Sequence, residues 1–110
     1  MYTPDNWVLI KLDNIPEPHY KVLAGWSGGY STGDSWRINS GVVRHEEDEK
    51  YYYFYGHSGS CYTCGKQSEG LRANNAFIWD MMRNKHPDKV SLVDVEEGGL
   101  PEDWKLKESS

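Results

Sequence analysis

The side chains with the most chemistry per unit length lie in one segment, Tyr51-Tyr52-Tyr53-Phe54-Tyr55-Gly56-His57-Ser58-Gly59-Ser60-Cys61-Tyr62-Thr63-Cys64-Gly65. It holds five of the eight tyrosines and both cysteines. Its sharpest pattern is His57-x3-Cys61-x2-Cys64. Two thiolates and an imidazole at this spacing are zinc ligands by type, and Cys-x2-Cys is the knuckle spacing. A closed tetrahedral site needs a fourth donor, which His19, His45, His86 or a carboxylate would supply. The same cysteines also read as a redox dithiol or as two reduced thiols in a turn. The redox reading is disfavoured because the first cysteine of such a motif should open a helix, whereas Tyr62-Thr63 and Gly65 have strand and turn character.

Two further patterns touch catalysis. Gly25-Trp26-Ser27-Gly28-Gly29 matches Gly-x-Ser-x-Gly, the turn that presents a nucleophilic serine between a strand and a helix. A strand precedes it here, but the glycine-rich continuation is no helix, so the competing reading is a Gly/Ser hairpin loop. Gly56-His57-Ser58-Gly59-Ser60 lacks the last glycine of the same motif. Asp34, Arg37 and His45 could form an acid–base cluster beside Tyr52, or be solvated charges at strand ends. A compact hydrolase with its site in the 27–37 loop is the corresponding enzymatic hypothesis.

A third set of residues points to binding. In a helix over about 70–86, Leu71, Ala73, Phe77, Ile78, Met81 and Met82 fill a broad apolar arc. Trp79 falls away from the centre of that arc, between Arg72 and Arg83. An outward Trp flanked by arginines is a contact patch by composition; the alternative is an acidic tail folded over it. Five consecutive aromatics make 50–56 a strand. Alternation then sets Tyr51, Tyr53 and Tyr55 on one face and Tyr52 and Phe54 on the other, with the tyrosine hydroxyls near a rim.

These residues need elements to carry them. Trp7 to Leu12 reads as a first strand, stopped by Asp13-Asn14 and the prolines of Ile15-Pro16-Glu17-Pro18. Tyr20 to Trp26 is a second, with Tyr20, Val22, Ala24 and Trp26 on one face. Ser35 to His45 is a third, and Glu46-Glu47-Asp48-Glu49 a solvated tip whose charges resist edge pairing. A short strand around Cys61-Tyr62 and a last one over 89–95 complete the set, with Pro87 ending the helix. The order predicts an α+β fold: a twisted, mostly antiparallel sheet of four to six strands with the helix packed on one face.

With 110 residues, five Trp and two Phe besides the tyrosines, 1–110 is expected to form a single domain with a real core. Over 96–110 an acidic tail follows, flexible or tacked down by Trp104. The net charge of −5 lacks the clustered Lys/Arg of a nucleic-acid footprint. No run approaches the roughly 18 apolar residues of a membrane span. No basic-then-apolar leader opens the chain, so free thiols in a reducing cytoplasm are expected, with no cofactor unless zinc.

Through Gly25-Trp26-Ser27-Gly28-Gly29-Tyr30, Gly33-Asp34-Ser35-Trp36-Arg37-Ile38-Asn39-Ser40-Gly41 and Tyr53-Phe54-Tyr55-Gly56, the chain resembles small uncharacterised proteins encoded by tailed bacteriophages. That resemblance implies no activity, cofactor or catalytic residue. It implies an accessory protein in the cytoplasm of an infected bacterium. Read physically, Trp36 and Ile38 belong to the core, and Asn39 and Gly41 to a tight backbone. The leading expectation is a non-enzymatic module that contacts a protein partner, or pairs with a second copy, through the tyrosine face and the Trp79 patch; a small zinc domain is the alternative.

Overall fold

The computed structural model describes residues 1–13, 18–29 and 33–100. Among them the chain forms β1 (Asn6–Leu12), β2 (His19–Gly29), β3 (Gly33–Ile38), β4 (Val42–Glu47), β5 (Tyr51–Gly56), β6 (Cys61–Gly65), α1 (Ala76–Lys85), β7 (Val90–Val93) and α2 (Val95–Gly98). The class is α+β, with a helix packed on an antiparallel sheet, as the patterning predicts. The strands divide, however, into two sheets, ordered β3-β2-β1-β7 and β4-β5-β6.

The division has a local cause. The strand expected over 35–45 is broken at Asn39-Ser40-Gly41. Asn39 donates its backbone N–H to Val22 O and accepts the Val22 N–H on its side-chain oxygen at 2.9 Å, which ends the β2–β3 ladder. Gly41 then turns the chain at φ +128°, a conformation that a residue with a Cβ rarely adopts. Past that point β4 belongs to the other sheet. Its charged residues lie on that sheet's edge, where they oppose further pairing.

β1, like the middle of β2, is buried on both faces. Trp7 and Leu9 look toward the second sheet and meet Tyr20, Val22, Ala24, Phe54, Tyr62 and Cys64 in one core. Val8 and Ile10 look the other way, into a second core with Leu23, Val90 and Trp79. Three layers result: second sheet, first sheet, helix. Tyr52 and Phe54 reach Trp7 with ring centroids 5.9 and 5.8 Å away, and Trp7 donates its indole N–H to Gly65 O at 2.7 Å. Trp36 does not join either core: it stands on edge strand β3 opposite Gly25 and keeps 43% of its surface exposed.

The helix starts later than expected, after a turn tied down by buried amides. Asn6, Asn74 and Asn75 are all buried. Asn6 Nδ2 donates to Asn74 Oδ1 and Asn75 Oδ1 at 3.0 and 3.2 Å, and Asn74 Nδ2 returns a bond to Asn6 Oδ1 at 2.7 Å. Asn75, which also accepts the Arg72 N–H on its side-chain oxygen, is the N-cap, and α1 starts at Ala76. Leu71, Ile78, Trp79 and Met82 then face the sheet, while Phe77 and Met81 are 52% and 62% exposed.

A short helix follows the last strand. Residues 95–98 form α2, and Val95 is buried in the core between the sheets. The Glu69 carboxylate accepts the N–H groups of Val95 and Glu96 at 2.8 and 2.6 Å. Asp94 caps the same turn by accepting Glu97 N–H. Leu100 packs against the same core, and residues 101–110 of the expected 96–110 tail lie outside the described residues. Trp104 and the prolines Pro16, of the first connection, and Pro101 lie outside the described residues, as does Tyr30.

Candidate functional site

β5 alternates as its sequence requires. Tyr52 and Phe54 fill the space between the sheets, and Tyr51, Tyr53 and Tyr55 form a row on the outward face, each half-buried. The Tyr51 and Tyr53 rings lie 6.2 Å apart between centroids.

Neighbours on the β4–β5 hairpin hold that row in place. Asp48 Oδ1 accepts the N–H groups of Lys50 and Tyr51, both at 2.9 Å, and Asp48 Oδ2 accepts the Tyr53 hydroxyl at 2.6 Å. The Tyr53 hydroxyl, with the Lys50 and Tyr51 amides, keeps the Asp48 carboxyl below its ordinary range. The same bond to Asp48, aided by desolvation, pushes Tyr53 up to about 12. Across the ladder Arg44 faces Tyr55. Its guanidinium carbon sits 3.8 Å from the ring centroid, and Nη1 bonds Glu46 Oε1 at 2.7 Å. Desolvation is the main cause that raises the Tyr55 phenol, with the Cys61 and Glu46 charges adding to it.

Tyr51 separates two shallow depressions. One, of about 330 Å³, is lined by Asp48, Glu49, Lys50, Tyr51 and Tyr53. The other, also about 330 Å³, is lined by Glu49, Lys50, Tyr51, Gly65, Lys66, Gln67 and Ser68. Thr63, opposite Tyr53, buries a hydroxyl for which the described residues supply no hydrogen-bond partner. Glu46 and Asp48 were legible only as part of a charged hairpin tip, and Arg44 only as a residue of the strand before it; the register of Arg44 and Glu46 opposite Tyr55 and Tyr53 is the signal that a hairpin reading of 42–56 contains.

No family model matches this chain, and no curated protein or solved structure does either. Function has to be read from the site itself.

The remaining candidate residues are dispersed. Trp79 is 8% exposed and packs with Val8, Ile10 and Leu23, so the outward patch of Trp79 with Arg72 and Arg83 does not exist. An apolar arc that wide has no unique centre, and the indole, the largest side chain on the helix, takes the buried side. Arg83 pairs with Asp80 at 2.9 Å, and Arg72 gives its backbone N–H to Asn75.

Cys61 and Cys64 are three apart on regular strand β6, hence on opposite faces. Cys61 stands across from Tyr55 on the outward side, and Cys64 across from Tyr52 inside, where burial pushes its thiol well up. His57 lies exposed in the turn between β5 and β6. Among the described residues no three His, Cys, Asp or Glu side chains are grouped to hold a metal ion.

Ser27 lies within continuous strand β2, its hydroxyl accepting from Asn74 Nδ2 at 3.1 Å, rather than on a strand-to-helix turn. Asp34 and Arg37 stand on β3, and His45 on β4 of the other sheet; Arg37 lies 4.6 Å over the Tyr2 ring. No helix among the described residues is long and apolar enough to cross a membrane.

Proposed function

We propose that the protein is a small non-enzymatic accessory module, working in the cytoplasm, that docks a protein partner on the outward face of β4–β5–β6. The observation that carries this reading is the row Tyr51, Tyr53, Tyr55 standing half-exposed on an open sheet face. Tyrosine offers a large amphipathic contact with only two side-chain torsions to order, and it is enriched at interfaces for that reason. The bond from Tyr53 to Asp48 and the Arg44 cover on Tyr55 fix these rings in advance, which lowers the ordering cost of association.

Binding is favoured over catalysis by the direction of the shifts. The Tyr53 and Tyr55 phenols and the Cys64 thiol are all pushed up, away from the values that suit proton transfer or nucleophilic attack near neutrality.

Photo-crosslinking tests the reading. A photoreactive phenylalanine analogue at Tyr53, compared with one at Asp88 in the exposed turn before β7, should give a discrete adduct only from position 53. An adduct of twice the chain mass identifies the partner as a second copy. Equal yields from both positions, or none, refute the docking face.

A further inference from the structure

The face already shows how it holds a cation. Arg44 lies against the Tyr55 ring while Glu46 closes on its guanidinium, so one aromatic face and one carboxylate together retain a planar positive group. The same ingredients recur along the hairpin. The depression beside Tyr51 and Tyr53 is walled by those two rings and by the carboxylates of Asp48 and Glu49, with Lys50 as the only cation in its lining. Two carboxylates against one ammonium leave it negative.

We propose that this depression is a subsite for a cationic side chain, an arginine or lysine carried by a basic peptide segment of the partner. The proposal rests on the outward tyrosine face being a docking surface and adds the chemistry of what docks. The rings supply stacking area, and Glu49, exposed at the tip, supplies the charge that a guanidinium pairs with. Of the four consecutive acids at the tip, Glu46 and Glu47 are paired with Arg44 and Lys66, so Asp48 and Glu49 set the sign of the local field, which attracts a basic segment and repels phosphate. Lys66 is neutralised locally by Glu47 at 2.6 Å, so it does not cancel that field at the subsite.

The probe is a short blocked peptide containing two arginines, titrated into the isotopically labelled full chain while backbone amide resonances are followed. Its control is the same peptide with citrulline at both positions, which keeps the shape and removes the charge. The expected result is saturable shifts confined to residues 48–53 with the arginine peptide alone. Affinity should fall roughly threefold in Glu49→Gln and by at least as much in Tyr51→Leu, the size of one exposed charge or cation–ring contact. Glu49 is exposed, so its variant keeps the fold and isolates the charge.

Equal shifts with citrulline overturn the proposal, as does a diffuse response that includes the acidic turn at Asp94 to Glu97, or no response at all. If the arginine peptide fails while crosslinking from position 53 still gives its adduct, the docking face stands and the cationic subsite falls. If both fail, the face itself is refuted.

Discussion

Asp48 is the residue on which the tyrosine row depends, because its one carboxylate orders both the turn and the Tyr53 ring. The bond has a pH signature. Tyr53 titrates at about 12 in the folded chain against an ordinary 10.0, so its stabilising contribution is complete below 10.0 and is lost as pH rises through about 12. Asp48 is shifted the other way, from an ordinary 3.8, so its contribution is present above 3.8 and is lost as pH falls through the lowered folded value. Ultraviolet titration of phenolate should therefore show ionisation that extends late, because Tyr52, Tyr55 and Tyr62 are also raised, with a component at about 12 that Tyr53→Phe removes and Asp48→Asn moves earlier. Simultaneous ionisation of all tyrosines near 10.0 contradicts the bond. Gly25 matters for a different reason: a Cβ there would lie 2.1 Å from Asn74 Oδ1, inside the buried amide cluster. Gly25→Ala should cost about 1–3 kcal/mol in chemical denaturation, the usual range for forcing an atom into a filled interior. A change below the error of that measurement would mean that Asn74 moves aside freely.

At the scale of elements, α1 decides how the molecule's largest apolar side chains are shared between core and solvent. Truncating Trp79 to Ala should lower unfolding free energy by about 3–5 kcal/mol, since it empties a packed site between the helix and β1. Phe77→Ser on the opposite side should change it by no more than about 0.5 kcal/mol. Denaturant midpoints of the two variants measure this directly, and similar losses from both would place the helix in a different rotation. The second sheet follows the opposite logic. Its inner face is closed by Trp7 and its outer face is open, so β5, with aromatics on both sides, is half core and half surface.

Over the whole molecule, one core joins the sheets: Trp7, Leu9 and Val22 from the first meet Phe54, Tyr62 and Cys64 from the second. Neither sheet has that surface covered without the other. Unfolding should then be a single transition, with tryptophan fluorescence and far-ultraviolet dichroism tracing the same curve. A separate early loss of strand signal would show that the second sheet stands alone. Much of this architecture was legible along the chain. The strands expected at 7–12 and 50–56 and the shared face of Tyr51, Tyr53 and Tyr55 follow from interactions between near neighbours, alternation and aromatic β preference, whereas the break at Asn39-Ser40-Gly41 inside the strand expected over 35–45 is set by the bonds of Asn39 to distant Val22. What the chain order could not decide was which apolar surface meets which. β5 is aromatic on both faces and the arc of α1 is wide, so periodicity allowed Trp79 to point either way and allowed one sheet as readily as two. Those choices are made by distant partners, Val8 and Ile10 for the indole and Trp7 for the second sheet, because burial depends on the surface that arrives from elsewhere in the chain.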